Sequence, residues 1–358
     1  MGAGFRVITV LPGRSLSSAL TDQWRRLQAS NAPLASPYFC PEFTEAVASV
    51  RNDVHVAIVE DQQGIAAIFP HHRRGRAGWP VGGILADFQG ITCGPECQVN
   101  VEEILRSCRL DAFDFDHMLA SQPGFSVYAQ NREASPRIDL SGGYAAYVTE
   151  RKRAGSKQIR QCENLMRRVE REVGQLSFVP HSSDAALLQK VLAWKSAQYS
   201  RTGHRDIFAT AWVRRVVERI HATETHGFAG RLSLLYAGDV LIAGHLGMRT
   251  PSVWHYWFPA YDLSYSKYSP GLLLLLKIVE QAAGEGASYL DLGKGMCLYK
   301  ERLMNAHVVL SQGWVELPSL LKWRRAIGRS LGPYARLAIF GSPLEAPARR
   351  LVHALRDR

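Results

Sequence analysis

The sequence predicts an α/β (α+β) protein: two domains with mixed sheets, residues 1–145 and 146–318, followed by a basic helical tail over 319–358. Three observations predict this class. Strand-like and helix-like runs occur in both halves, but not in the even alternation that a doubly wound parallel sheet requires. DVHVAIVE and GIAAIFPHH flank the turn DQQG, and RLSLLYAG meets DVLIAGHLGMRT at a second turn, so both pairs read as antiparallel hairpins. The chain has 358 residues, 46% of them hydrophobic and 21% charged, which suits two ordinary domains with cores of their own.

The elements follow in order. SPYFCPEFTEAVA (36–48) is a loop entering a helix, with Pro41 in the first turn. After the first hairpin, GWPVGGILADF reads as a strand ending at Asp87 and Phe88, VEEILRSCRL as a short helix, and FSVYAQN and PRIDL as two strands. Helical spacing of Leu165, Val169 and Val173 predicts one long basic helix over about 144–173, closed by Gly174. QLSFVPH is a strand, residues 184–202 and ATAWVRRVVERIHATE are helices, and SVWHYWFPAYD is the strand after the second hairpin. SPGLLLLLKIVEQAAGEGA is a nearly all-apolar, hence buried, helix. SYLDLG, MCLYKERLM and HVVLSQGWVEL then read as strand, short helix and strand.

Composition excludes several classes. The longest apolar block, Leu272 to Leu276, runs straight into Lys277, so no membrane-spanning helix is expected. The N-terminus is too short in apolar length for a secretion signal. The six cysteines (40, 93, 97, 108, 162 and 297) are too few for a disulfide framework and read as reduced cytoplasmic thiols. CGPEC has no second ligand pair, so no metal is expected. The net charge of +11 is uneven: nine Lys/Arg against two acids lie in 319–358, and TERKRAGSKQIRQCENLMRRVER (149–171) is a second basic stretch. These are either solvated helix faces or contacts with something anionic, such as phosphate, a membrane surface or nucleic acid.

Two stretches concentrate the candidate chemistry. In YSKYSPGLLLLL, Ser269 is placed to cap the buried helix, Pro270 suits its first position, and Gly271 lets a ligand approach the backbone. The first turn of such a helix offers free N–H groups and a positive dipole end, a phosphate site to which Lys267 adds a cation. In YLDLGKGMCLYKERL, Gly293 and Gly295 turn the chain at the end of a strand that should lie beside 252–258. Tyr299 one turn later can donate a proton, and Lys300 can stabilise negative charge. Asp291 shares a strand face with Tyr289 and can orient or deprotonate a second substrate. His255 is the other base candidate, although a histidine in an apolar strand is commonly a core residue. Trp194, Gln198 and Arg201 recur on one helix face and, with Asp206, form a candidate wall on which a sugar ring could stack.

These stretches, with WKSAQYSRTGHRDIF (194–208), SPYFCPEF (36–43) and ADFQG (86–90), resemble the CelD/BcsL-type acetyltransferases of bacterial exopolysaccharide and cellulose synthesis. Those are GNAT-superfamily enzymes distantly similar to the Fem-type aminoacyltransferases, and the likeness spans about residues 30–315. The resemblance implies tandem GNAT-like domains, the first degenerate, with acyl-CoA (acetyl-CoA foremost) as co-substrate. It implies that Lys267, Tyr268, Ser269, Pro270 and Gly271 hold the donor, with Tyr299 protonating the leaving thiolate beside Lys300. Asp87 and Phe88 would supply the first domain's side of the cleft. The acceptor would be a sugar or lipid-linked saccharide, reached from the cytoplasm, with the tail resting on anionic membrane and no DNA partner. Two alternatives stay open: a Fem-like transferase using aminoacyl-tRNA, and a non-catalytic GNAT-like module sensing an anionic ligand such as a cyclic dinucleotide.

Overall fold

The computed structural model describes residues 7–327 and Arg329. Its strands are β1 (Val7–Pro12), β2 (Val54–Asp61), β3 (Gly64–Arg74), β4 (Ala77–Pro80), β5 (Thr92–Cys93), β6 (Ala112–Leu119), β7 (Ala129–Asp139), β8 (Leu176–Val179), β9 (Ala229–Ala237), β10 (Val240–Arg249), β11 (Val253–Tyr261), β12 (Tyr289–Asp291) and β13 (Ala306–Glu316). The helices are α1 (Ser18–Ala29), α2 (Pro41–Val50), α3 (Val101–Ser107), α4 (Gly143–Arg153), α5 (Gln158–Glu172), α6 (Ala185–Arg201), α7 (Ala211–His221), α8 (Pro270–Gly284) and α9 (Leu298–Leu303).

All strands join one mixed sheet in the order β1-β2-β3-β4-β6-β13-β7-β12-β11-β10-β9-β8, with β5 beside β3. The expected α/β class with mixed sheets therefore holds. The two halves meet where β7 pairs antiparallel with β12, Asp291 opposite Arg137. The last strand, β13, returns to the first half and lies between β6 and β7. Sequence position 145 is thus no break in the sheet.

Four sequence expectations are corrected. The single helix over 144–173 is two, α4 and α5, because Gly155 turns the chain at φ +78°. GWPVGGILADF is a four-residue strand followed by a 3-10 turn over Gly83–Leu85, not a strand reaching Phe88. FSVYAQN and PRIDL form one strand, β7, preceded by a 3-10 turn. Ser269 stands at the start of α8 but makes no side-chain cap; it sits in the left-handed region at φ 52°. A non-glycine residue held there costs about 1–3 kcal/mol and persists only where its surroundings fix it.

The tail beyond Arg329 lies outside the described residues. Its first turns, helical from Leu320, dock on the sheet through Arg325, which reaches Asp114 on β6 and Glu316 on β13. No helix among the described residues is long and apolar enough to cross a membrane.

The core explains why α8 reads as apolar all round. Leu273, Leu274, Leu275, Ile278 and Val279 are all fully buried against the sheet beside Leu235, Ile242 and Leu290. Each such side chain contributes about 1.5–3 kcal/mol through burial, so the start of α8 is rigidly placed. On the opposite face, α6 and α7 pack through Leu188, Val191, Val213 and Val217 against Leu232, Leu234 and Leu246.

Candidate active site

The site begins with an irregularity in β11. Leu246 pairs with Phe258 but Met248 with His255, so β11 carries one residue more than β10 across this step. Such a bulge bends the strand and shifts the alternation of side chains. Tyr256 faces α8, as alternation requires, and after the bulge Pro259 and Tyr261 join it there. The N–H of Trp257 donates to His245 Nε2 at 3.0 Å. Gly247 is required opposite, since a Cβ there would lie 2.4 Å from His245 Cε1 and 2.5 Å from the carbonyl of His255.

The second irregularity is length. β12 pairs in parallel with β11 only from Val253 to His255, whereas β11 continues to Tyr261. From Tyr256 onward the edge of β11 facing β12 is open. A cavity of about 350 Å³ fills the gap, lined by Lys195, Gln198, Tyr256, Pro259, Tyr261, Ser266, Ser269, Gly271, Leu272, Leu275 and Tyr299. The start of α8 therefore points into a cleft that splits the sheet. Pro270 has no N–H, and those of Leu272 and Leu273 donate to the Ser269 carbonyl at 2.9 and 3.3 Å, so Gly271 N–H is the donor left open in the first turn of this helix. A Cβ on Gly271 would meet Tyr261 only at ordinary contact, 3.5 Å, so protein packing does not demand the glycine.

Of the expected donor residues, Ser269 and Gly271 line the cavity with Tyr299. Tyr268 is a core residue whose hydroxyl donates to Glu172. Lys267 stands at the rim, its Nζ 3.6 Å from Glu172 and 4.7 Å from the Tyr268 ring centre. The exposed Arg168 and Arg171 of α5 stand beside it at Glu172, giving the mouth a positive edge. Burial and the neighbouring Cys297 push the Tyr299 phenol well above its ordinary pKa. It is therefore protonated at neutral pH.

Asp291, His255 and Phe88, which are buried, and Asp87, which is partly exposed, form a separate group. His255 Nε2 is 3.0 Å from Asp87 Oδ2, and Nδ1 is 3.5 Å from Asp291 Oδ1. Arg137 Nε donates to Asp291 Oδ2 at 3.1 Å, and its guanidinium lies 5.5 Å from the Phe88 ring centre and 4.2 Å from that of Tyr289. Tyr38, from SPYFCPEF, packs edge-on against His255 at 5.0 Å. Burial alone would lower the His255 pKa, but the two carboxylates outweigh it and raise it to about 9. Burial opposes the charge on Asp87 as well, yet His255 holds its carboxyl below the usual range. Asp87, His255, Asp291 and Arg137 form a quartet that ties the two halves together across the β7–β12 seam. Asp291 is fully buried, so it does not face an acceptor as expected, and His255 is fully buried between Asp87 and Asp291, which favour its protonated form.

Lys300 is also placed differently from the expectation. It is buried, and its ammonium donates to the carbonyls of Gly293 at 2.8 Å and Lys294 at 3.2 Å. It latches the turn in which Gly293 and Gly295 adopt φ 74° and 87°. Burial lowers its pKa, against the raising influence of Cys297, Asp87, Asp291 and Glu133.

Trp194, Gln198 and Arg201 do come together, with Tyr261, Asp262 and Leu263, around a smaller pocket of about 180 Å³. It adjoins the cleft, sharing Gln198 and Tyr261 with it. Asp206 is turned away: it accepts from Ser196 and caps the 3-10 turn at Phe208. A larger cavity of about 810 Å³ lies at the other end of β11 and β12, near Ser252, Ser288 and Tyr289, and holds none of the other site residues. No group of three or more His, Cys, Asp or Glu that could hold a metal ion occurs among the described residues.

Sequence reasoning missed Lys195, His245 and Arg137. Lys195 stands inside WKSAQY, and the signal was there: a lysine on the face of α6 that otherwise carries Leu188, Val191 and Leu192. Arg137 and His245 carry no local signal, since their roles depend on the β7–β12 seam and on the bulge.

Residues 156–301 match the family model described as an acetyltransferase (GNAT) domain. No curated protein matches the sequence. Among solved structures, FemX aligns at 8% identity, TM-score 0.57, over 89% of this chain and 99% of its own. The C-terminal domain of a putative lysylphosphatidylglycerol synthetase from Agrobacterium fabrum aligns at 10%, TM-score 0.52, over 87% and 97%. A conserved protein of unknown function from Bacteroides thetaiotaomicron aligns at 10%, TM-score 0.52, over 84% and 98%. At such identities the likeness is one of fold, and it extends through both halves.

Proposed function

We propose that the chain transfers an acyl group, acetyl foremost, from acyl-CoA to an amine or hydroxyl of a sugar, polysaccharide precursor or related cell-envelope acceptor. The observation that carries this reading is the open edge of β11 beside the start of α8. An extended pantetheine arm carries amide donors and acceptors and would pair with that edge as a missing strand does. Its pyrophosphate would meet the first turn of α8, with Lys267, Arg168 and Arg171 around the mouth. The thioester would then lie near Tyr256 and Tyr299, and Tyr299, being protonated, would supply the leaving thiolate with its proton. Orientation in the cleft contributes most to such a reaction.

The adjoining Trp194 pocket supports a sugar acceptor, since an indole offers a stacking face and Arg201 and Gln198 offer donors. The CelD/BcsL-type motifs point to the same acceptor class. Lysine and arginine beside the exposed Leu320 and Trp323 support a resting place on anionic membrane at the cytoplasmic face. Within this reading residues 1–145 are a degenerate GNAT-like unit, 146–318 the transferase unit and 319–358 the tail.

CoA should raise the melting temperature of the protein, and Gly271→Glu should abolish the rise by placing a carboxylate where the pyrophosphate would sit. A Gly271→Glu protein that still responds to CoA places the donor elsewhere. Should CoA be inert while aminoacyl-tRNA shifts in a gel and salt reverses it, the basic face of α5 serves RNA instead.

A further inference from the structure

We infer that Lys195 is the group that takes the acceptor's proton during acyl transfer. The inference rests on the acyltransferase reading above and adds the base that reading lacks. Neither base expected from sequence suits this role, because Asp291 is sealed in the quartet and His255 is fully buried between two carboxylates that favour its protonated form. Lys195 lies in the wall of the same cleft as Tyr299 and Gly271. It is 9% exposed, and its ammonium has one hydrogen bond, to Gln198 Oε1 at 3.3 Å, with the Tyr199 ring 5.2 Å away. Among the described residues no carboxylate lies within ion-pair distance of it.

The groups around α6 make the amine form favourable. Burial and the Lys300 charge bring the Lys195 pKa down to about 8. His245 on β10 faces the same region, and burial, then the charges of His255 and Lys195, hold it neutral. The phenols of Tyr199, Tyr256 and Tyr299 are all shifted upward, chiefly by burial, and stay neutral. Asp206, the acid beside α6, is engaged by Ser196 and the N–H of Phe208. Gln198, which accepts from Lys195, lines both the cleft and the Trp194 pocket, so the hydrogen-bond partner of Lys195 stands where the two cavities meet.

In the step itself, the acceptor nitrogen or oxygen forms a bond to the thioester carbonyl carbon while its proton passes to Lys195 Nζ. The tetrahedral intermediate then expels sulfur with the C–S electron pair, and Tyr299 protonates the thiolate. Lys195 returns its proton, through the cleft, to the Tyr299 phenolate. The balance is acyl-thioester plus acceptor–H giving acyl-acceptor plus thiol.

The test combines labelling with turnover. Acetic anhydride, followed by peptide mass spectrometry across pH, should half-modify Lys195 near pH 8, and excess CoA should protect it. Lys195→Met and Lys195→Arg should both still bind CoA in calorimetry and lose about 10²–10⁴ in acetyl-CoA turnover. The wild-type rate should rise through pH 8 and that limb should vanish in both variants. Labelling of Lys195 that begins only well above pH 8, or a Lys195→Met protein with full turnover and the same pH limb, overturns the inference. Full turnover in Lys195→Arg also overturns it, because only a cation is then needed. Wild type that binds no CoA sinks the acyl-CoA reading itself, whereas CoA binding with a fully active Lys195→Met sinks the base assignment alone.

Discussion

Two buried cationic side chains lie a short way apart in this molecule, and their surroundings push them in opposite directions. His255 sits between two carboxylates, and its pKa rises to about 9. Lys195 has no carboxylate partner, and its pKa falls to about 8. Desolvation acts on both and lowers both; the difference is the counter-charge. The first arrangement keeps a fixed charge and fastens two halves of a sheet. The second keeps a charge that is easily given up, at the wall of a cleft. Burial by itself therefore does not mark a functional group; burial without a counter-ion does.

The largest effect expected from this contrast is on the quartet. Asp291→Asn preserves shape but leaves Arg137 and His255 with only Asp87 to balance them. Breaking a buried ion pair from one side costs about 3–5 kcal/mol. Urea unfolding should show this as a lower midpoint at unchanged slope. A loss below about 1 kcal/mol would mean that the quartet is hydrated and adds little to the seam.

How much of this is legible in the sequence follows from what is local. The hairpins, the buried α8 and the Tyr299 helix are readable because their signals are periodicity, Pro and Gly within one segment. The cleft is half legible: S-P-G announces the start of α8, but the open edge of β11 depends on β12 being three residues long. The quartet is not legible. Its members come from 87, 137, 255 and 291, and the pairing of β7 with β12 is a contact across more than 150 residues of chain. Lys300 misleads for a related reason. Its acceptors, Gly293 and Lys294, are close in sequence, but only the folded turn aims their carbonyls at it.

A pH titration of stability separates the two cations. A raised histidine pKa adds stability that is complete below the unfolded value, near 6.5, and is lost as pH rises through about 9. Between pH 6.5 and 8 this amounts to about 2 kcal/mol. Differential scanning calorimetry should show the melting temperature falling over that interval. His255→Gln should flatten the fall, whereas a Lys195 variant should leave it in place. A wild-type curve that is level from pH 6.5 to 8 would show that His255 is neutral and that the quartet has a different charge pattern.

Lys195→Met tests the other cation without any assay of turnover. Below pH 8 the folded protein must hold a buried ammonium that the unfolded chain hydrates freely. Replacing it with an apolar side chain of similar length should stabilise the fold by about 1–3 kcal/mol at pH 7. The gain should shrink as pH rises above 8, since the amine is then neutral in the folded state already. Destabilisation at pH 7 would mean that the Gln198 and Tyr199 contacts outweigh desolvation, and the contrast with His255 would fail.

The smallest expected effect is the control for that gain. Gly271→Ala puts one methyl group into the same cleft, 3.5 Å from Tyr261 Cδ1, with no charge involved. Alanine is better than glycine in a helix by about 1 kcal/mol in the interior and less in the first turn, so stability should rise by a few tenths of a kcal/mol. The change should be independent of pH from 6 to 10, because no titrating group is altered. Equal, pH-independent gains from Gly271→Ala and Lys195→Met would assign both to filling space in a loosely packed cleft. A small flat gain for Gly271→Ala beside a larger, pH-dependent one for Lys195→Met would assign the second to charge. If Gly271→Ala also weakens CoA binding while leaving the fold intact, the glycine is kept for the ligand's sake, since packing alone leaves room for the methyl group.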